Sequence, residues 1–328
     1  MKKASTPSSH LPDLFFCDAH IDTLSKMLKF GWNSLAEIPD DSPVTAGRLR
    51  RSKVGLAVFA IFTEKRDRSL TPLLRTLRMT DTAYSIAHEN SEWVELVTDA
   101  GGITRARKKG KIAMVLSMEN GIAIGNDLGL LRNFYRLGVR LMSLTWNHRN
   151  QLGDGVGVPN ARRGLTLLGR ETIHEMERLG IIIDVSHLNE RTFWQVVEVS
   201  GGPIVATHSN AFSICKSPRN LTDAQIRAIS ERNGFVGLNF CGHFLNDSGE
   251  ASIDDVVRHA YHIAGVGGAK VLALGSDFDG TTNLPAGLEH MGKMGRLIDS
   301  FRKAGFSNAD IEDLSHRNFL RVFRKVCG

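Results

Sequence analysis

The chain has 328 residues and a formal net charge of +6, with 42% apolar and 23% charged residues. This balance is typical of a folded globular protein and excludes an intrinsically disordered chain. No segment reaches the about 20 uninterrupted apolar residues of a membrane-spanning helix, so we expect no membrane partner. The basic residues are scattered, with only short runs such as 48–53 and 105–111, which indicates a solvated surface and no nucleic-acid partner.

The ends and the cysteines bear on organisation and location. Residues 1–12 are polar and rich in Ser and Pro, and they lack the apolar stretch of a secretory signal, so we predict a flexible N-terminal arm. The four cysteines lie far apart and form no paired spacing, which favours a reducing compartment. No interior linker divides the rest. We therefore expect a cytoplasmic protein with a single domain over residues 13–328.

Short apolar runs alternate along the chain with longer segments of helical periodicity. The segment 165–179 illustrates the helical pattern, because its apolar residues share one face and Gly180 supplies the stop. Strict alternation of strands and helices predicts an α/β fold of the TIM (β/α)8 barrel type, with extra C-terminal helices. The eight predicted strands cover residues 14–21, 54–62, 112–118, 141–146, 181–186, 204–207, 235–240 and 271–276.

Polar residues follow the predicted strands at the rim where a barrel builds its active site. His20 and Asp22 end the first strand two positions apart, so they share one face and could bind one cation. A capping Asp beside an unrelated His is the alternative. Glu119 ends the third strand, where an unpaired charge would be costly to bury. It could bridge two metal ions, or it could pair with an arginine or a helix N-terminus.

Two histidines and a further carboxylate complete this predicted rim. His187 and His208 follow neighbouring strands and suit a second zinc ion. Asp277 follows the eighth strand as the natural proton shuttle, with a cap or turn role as the alternative. Arg219 lies just beyond the strand of His208, where it could clamp a substrate carboxylate or simply be solvated.

Together these motifs resemble the membrane (renal) dipeptidases, peptidase family M19, within the amidohydrolase-like metal-dependent hydrolases. The shared order runs from about residue 14 to residue 320, nearly the whole chain. Each motif alone is weak, but their combination is specific. The segments that carry the resemblance are 18–22, 117–121, 164–187, 207–210, 219–220 and 275–280.

The resemblance implies a zinc-dependent dipeptidase that binds two divalent metal ions and hydrolyses dipeptides through a metal-bridging water. A D-residue at the C-terminal end of the dipeptide would be tolerated, and a homodimer is compatible with the family. The implied roles place His20, Asp22 and Glu119 on one metal, Glu119, His187 and His208 on the other, Asp277 on the proton, and Arg219, with Trp146 and Asn220, on the substrate.

One motif departs from the family pattern. The animal enzymes carry Leu-Thr-His after the fourth strand, whereas this chain reads Leu-Thr-Trp-Asn-His over residues 144–148. We expect His148 to replace the displaced histidine beside the oxyanion. Two alternatives to a dipeptidase remain open: a hydrolase of the same fold acting on another small amide, lactone or phosphoester, and a catalytically silent binding protein.

Overall fold

The computed structural model describes residues 14–64, 70–158 and 163–328, so the predicted arm of residues 1–12 lies outside the described residues. Within these ranges the strands are β1 Phe16–Ile21, β2 Val54–Phe62, β3 Val94–Leu96, β4 Ile112–Glu119, β5 Val139–Ser143, β6 Ile182–Asp184, β7 Ile204–Val205, β8 Val236–Leu238 and β9 Leu272–Leu274. The α-helices are α1 Thr23–Phe30, α2 Ala46–Arg51, α3 Pro72–Glu89, α4 Ala100–Lys108, α5 Leu128–Arg136, α6 Leu167–Leu179, α7 Glu190–Val199, α8 Asp223–Glu231, α9 Gly242–Leu245, α10 Ile253–Gly267, α11 Arg296–Lys303, α12 Asn308–Glu312 and α13 Asn318–Cys327. In the described ranges no helix combines the length and the apolar character needed to cross a bilayer.

Eight of the strands form the predicted barrel. They are parallel and follow the order β7-β6-β5-β4-β2-β1-β9-β8. A parallel bridge between Ala206 and Val236 joins the two ends of this series, and the Ala206 amide donates to the Phe235 carbonyl at 2.9 Å. Three helices, α11 to α13, follow the last strand. The prediction of a TIM barrel with extra C-terminal helices is therefore confirmed.

The ninth strand, β3, was not predicted. It pairs in parallel with the first residues of β4, with Val94 opposite Ile112, and it lies off the path of the barrel. With three residues, of which only Val94 is fully buried, it offers no alternation that sequence reasoning could read. Some predicted strands extend past the observed ones: of the predicted run 204–207, only Ile204–Val205 forms strand β7, and Ala206 continues as a single bridge to Val236.

The barrel strands are buried on both faces, as expected of a parallel sheet. One apolar cluster draws residues from every barrel strand or its immediate flank, among them Ala19, Val58 and Val115, and it therefore fills the interior. Phe319 and Phe323 of α13 join this cluster, and the Phe319 ring lies 5.6 Å from that of Phe235 at the start of β8. Helix α13 thus closes the end of the barrel opposite the rim, where each buried phenylalanine contributes about 1.5–3 kcal/mol.

A buried carboxylate joins the first and last barrel strands. Asp18 on β1 accepts hydrogen bonds from the backbone N–H of Ser276 at 2.9 Å and from its hydroxyl at 2.6 Å. Burial raises the pKa of Asp18 to about 6, while the bonds from Ser276 oppose that rise. This contact fixes the ends of β1 and β9 side by side. All four cysteines are unpaired in the structure.

Two glycines allow the close approach of strands at the rim. A side chain at Gly237 on β8, or at Gly275 after β9, would collide with the carbonyl oxygen of Thr207. The backbone that carries His208 therefore lies directly against both segments. The close approach of these backbone segments depends on the absence of these two side chains.

We predict that Gly237→Ala lowers the free energy of unfolding by about 1–3 kcal/mol, because the added methyl group overpacks a rigid backbone contact. Gly265→Ala is the control, since a methyl group there meets nothing within 4 Å on helix α10. That change should raise stability by about 0.5–1 kcal/mol through helix propensity. Urea unfolding followed by circular dichroism compares the two variants. Equal stability of both would contradict the close-packed rim.

Candidate metal centre

The end of β1 and the end of β4 bring three candidate ligands together. His20 lies in β1, Asp22 is the first residue after β1, and Glu119 is the last residue of β4. The Nε2 atom of His20 lies 3.4 Å from Asp22 Oδ2 and 3.6 Å from Glu119 Oε2. This nitrogen is buried and has no hydrogen-bond partner. A buried polar atom is normally paired, so an unpaired imidazole nitrogen facing two carboxylates fits a ligand for a cation.

The other two predicted ligands lie near the second carboxylate oxygen of Glu119. His187 Nε2 is 2.9 Å from Glu119 Oε1, and His208 Nε2 is 3.8 Å from the same oxygen. The two histidine Nε2 atoms are 2.8 Å apart. One oxygen of Glu119 therefore faces His20 and the other faces His187 and His208. This is the arrangement in which one carboxylate can serve two metal ions.

Asp277 joins the first of these groups. Ligand atoms of His20, Asp22 and Asp277 all lie within 4.8 Å of one another, as do those of His20, Glu119 and His208. The backbone N–H of Asp277 donates to the His20 carbonyl at 3.0 Å. Asn239 Nδ2 donates to Asp277 Oδ2 at 2.9 Å, which leaves Oδ1 as the oxygen without that partner.

Burial and mutual repulsion shape the charges of this cluster. Burial, with repulsion from Glu119, raises the pKa of Asp22 to about 8. Burial lowers the pKa of His208 well below its usual range and, together with the charge of Arg219, lowers the pKa of His187 to about 4. Burial alone would also lower the pKa of His20, but Asp22 and Glu119 raise it well above its usual value. The neutral imidazoles of His187 and His208, beside crowded carboxylates, form a donor set suited to divalent cations such as zinc.

Backbone strain is concentrated at this rim. Four non-glycine residues there have positive φ angles between 62° and 75°, which L-residues rarely adopt. Each costs of order 1–3 kcal/mol and persists only where the surroundings enforce it. Two of them, His187 and Asp277, belong to the predicted site, and the other two are Asn120 and Asp279.

Arg219 is a buried cation beside this cluster, with only 8% of its surface exposed. Its Nη2 donates to the His208 carbonyl at 3.2 Å, and its guanidinium carbon lies 5.6 Å from the centre of the Phe244 ring. Burial lowers the pKa of Arg219, while the charges of Asp277 and Glu119 oppose that effect. Among the described residues its guanidinium forms no ion pair with a carboxylate. Arg219 is therefore placed to bind an anionic group of a ligand.

A cavity of about 1350 Å³ opens above the candidate ligands. Asp22, Glu119, His187, Arg219 and Asp277 lie at its base. Aromatic side chains form part of its wall, namely Phe62, Trp146 and Phe244. The predicted substrate contact of Trp146 is thus compatible with its position, since its ring lies 6.1 Å from that of His187.

Two predicted site residues are not brought to this cavity. His148 is exposed beside Trp146, with ring centroids 5.8 Å apart, and it is absent from the cavity lining. The inward residue of this segment is Asn147, whose Oδ1 lies 2.7 Å from His187 Nδ1. Asn220 donates from Nδ2 to the Phe244 carbonyl at 2.8 Å and therefore holds the loop behind Arg219. The placement of His148 does not support the oxyanion role predicted for it.

Several residues of the site were missed by sequence reasoning. Asn147 lies within the motif 144–148, in which only its neighbours Trp146 and His148 were predicted to belong to the site. Asn239 interrupts the apolar run 235–240, and that interruption was a usable signal for a polar group aimed at the site. Gly280 offered no such signal in the sequence. A side chain at this position would overlap both Asp22 Oδ2 and Asp277 Oδ1.

We predict that Gly280→Ala lowers metal binding, because the methyl group would displace Asp22 and Asp277 from their present positions. The control is Gly295→Ala, where an added methyl group meets nothing within 4 Å. Metal per chain, measured by mass spectrometry after dialysis against a defined zinc buffer, should fall for Gly280→Ala alone. Full metal content in that variant would show that the carboxylates tolerate the displacement.

Comparison with known proteins finds peptidases of the same fold. A metallopeptidase of Rhodobacter sphaeroides, crystallised with a phosphinate mimic of the dipeptide L-Ala-D-Ala, matches 95% of this chain and 99% of its own, with a TM-score of 0.90 at 28% identity. Dipeptidase AC, a metallopeptidase of family M19, covers 96% of this chain and 99% of its own, with a TM-score of 0.89 at 29% identity. An uncharacterised protein in the pqqA 5′ region of Klebsiella pneumoniae is 39% identical over 250 residues, which are 74% of this chain and 92% of that protein.

The family assignment follows from the extent of the match. The model of the membrane dipeptidases matches residues 10–327, nearly the whole chain. This confirms the resemblance inferred from the motifs. The chain belongs to the membrane dipeptidase family, peptidase family M19.

Proposed function

We propose that this protein is a metallodipeptidase that holds two divalent cations, with zinc as the expected metal, and hydrolyses dipeptides in the rim cavity. The observation that carries the proposal is the position of Glu119, whose Oε2 lies near His20 and whose Oε1 lies near His187 and His208. The family and the dipeptidases of the same fold support it.

The residues of the rim divide into two ligand sets. His20 and Asp22 would hold one cation together with Glu119, and His187 and His208 would hold the other, with Glu119 common to both. When bound, the cations supply Lewis acidity and lower the pKa of a coordinated water. The protein contributes a buried, preorganised ligand set, so little rearrangement is needed when the substrate arrives.

Asp277 is the proposed proton carrier. Its Oδ2 is held by Asn239, so Oδ1 faces the ligand cluster and can accept the proton of the attacking water. The same oxygen can then pass the proton to the leaving amine. Asn239 acts by fixing the carboxylate in this orientation.

Arg219 is the proposed anchor for the C-terminal carboxylate of the dipeptide. It is a buried guanidinium that lacks an anionic partner in the described structure, and a carboxylate can bind it through two parallel hydrogen bonds. An anchor this close to His208 limits the chain on that side of the scissile bond to one residue. The relative crystallised with the L-Ala-D-Ala mimic supports acceptance of a D-residue at that position.

The direct test is hydrolysis of a panel of L-L and L-D dipeptides by the purified protein, before and after chelation and zinc repletion. We expect release of free amino acids, its loss on chelation and its return with zinc. Ninhydrin detection or chromatography measures the products. Metal binding without turnover of any dipeptide would reject the proposal and favour another substrate or a silent relative.

Arg219→Met should raise the KM for dipeptides about 10- to 100-fold, since a hydrogen bond to a charged group contributes about 1.5–3 kcal/mol. Dipeptide amides, which lack the carboxylate, should be hydrolysed equally by the variant and the parent protein. Arg78→Met is the control, because Arg78 lines the same cavity from an exposed position on α3. If the parent protein hydrolyses dipeptide amides as well as it hydrolyses free dipeptides, the result would instead favour a hydrolase of other small amides, lactones or phosphoesters.

A further inference from the structure

A chain of two short contacts runs behind His208. Its Nδ1 atom lies 2.8 Å from Thr207 Oγ1, and Thr207 Oγ1 lies 2.6 Å from Asp184 Oδ2. All three residues are buried. Asp184 is the last residue of β6, and Thr207 lies two residues beyond β7, so neighbouring barrel strands place the three groups in line.

The direction of these hydrogen bonds follows from the other partners of Asp184. Its Oδ1 accepts the backbone N–H groups of Ser186 at 2.9 Å and Thr207 at 3.0 Å. The carboxylate therefore acts as an acceptor throughout, and the Thr207 hydroxyl donates to Oδ2. The Ser186 hydroxyl, 3.4 Å from Thr207 Oγ1, is a longer contact that can donate to Thr207 without changing this direction.

Because the Thr207 hydrogen points to Asp184, its oxygen offers a lone pair to His208 Nδ1. The Nδ1 atom must then carry the hydrogen of the neutral imidazole. The Nε2 atom is left with its lone pair, and that atom is the one directed at Glu119 and His187. A metal-binding histidine is commonly oriented in this way by a partner on its other nitrogen.

We propose that Asp184 and Thr207 are positioning residues, which act through a carboxylate–hydroxyl relay to hold His208 in the tautomer that binds metal. The proposal rests on the proposed metal site at Glu119, His187 and His208. It adds two residues that touch neither substrate nor cation. His187 has a simpler arrangement, in which Asn147 Oδ1 is the direct partner of Nδ1.

The relay predicts an unusual result for Asp184→Asn. The carbonyl oxygen of the new amide must take the place of Oδ1, since two backbone N–H groups donate there. The NH₂ group then faces Thr207 and donates to its oxygen. The Thr207 hydroxyl is turned toward His208 and donates to Nδ1, so the hydrogen moves to Nε2, where it blocks the metal.

The relay can be tested by the zinc affinities of four variants, each measured by competition with a chromophoric chelator. Asp184→Asn should weaken one of the two zinc sites about 10- to 100-fold. Thr207→Val, which removes the hydroxyl, should have a smaller effect, and Thr207→Ser should keep the affinity of the parent. The double variant Asp184→Asn/Thr207→Val should bind zinc more tightly than Asp184→Asn alone, because it has no hydroxyl at position 207 that could donate a hydrogen bond to His208 Nδ1.

A purely structural role gives the opposite pattern, since two destabilising changes would add and the double variant would be the weakest. That result, or unchanged affinity in Asp184→Asn, overturns the relay. Absence of zinc binding by the parent protein would instead reject the proposed function itself.

Should Asp184→Asn fail to fold, imidazole ¹⁵N–¹H correlation spectra of the metal-free parent protein decide the question. Thr207→Ser and Thr207→Val serve to assign the His208 signals. Hydrogen on Nδ1 supports the relay, and hydrogen on Nε2 overturns it.

Discussion

The burial of the Glu119 carboxylate is the constraint on which the rim of this barrel depends. An ionised carboxylate at the end of an apolar strand is costly unless it is compensated, and here three imidazoles surround it. Burial alone would raise the pKa of Glu119, but its contacts with His187 and His20 hold the pKa well below its usual range. The three histidines come from β1 and from the segments after β6 and β7, so one carboxylate requires much of the barrel to be in register.

The same constraint explains where the backbone is strained. Neighbouring residues of an extended strand point to opposite faces, so a strand cannot deliver consecutive side chains to one point. Positive φ angles at His187 and Asp277 turn the chain sharply after the strand and aim these side chains at the cluster. The strain is balanced by fixed contacts such as the bond from the Asp277 amide to the His20 carbonyl. Strain and site therefore coincide because both arise at the ends of the strands.

The fold and the five proposed metal ligands could be predicted because both follow from short local patterns in the sequence. Each ligand directly follows an apolar run, and parallel strands bring such positions to one rim. The turn after β5 has no periodicity, so sequence alone could not show that Asn147 lines the cavity and His148 does not. Asp184 and Thr207 look like ordinary strand residues, and their relay depends on bonds between strands. Strand β3 and Gly280 act through contacts that only the assembled structure creates.

The contact of Asp18 with Ser276 joins residues 258 positions apart and has a consequence for how the protein is made. The strand that bears His20 and directly precedes Asp22 is synthesised first, yet its second neighbour β9 is synthesised after every other barrel strand. During translation β1 can pair with β2 but keeps an open edge on its other side. An unpaired strand edge is a site for wrong pairing between chains. The first ligands to be translated are thus the last to reach their final position, which exposes the nascent chain to aggregation until the ring is complete.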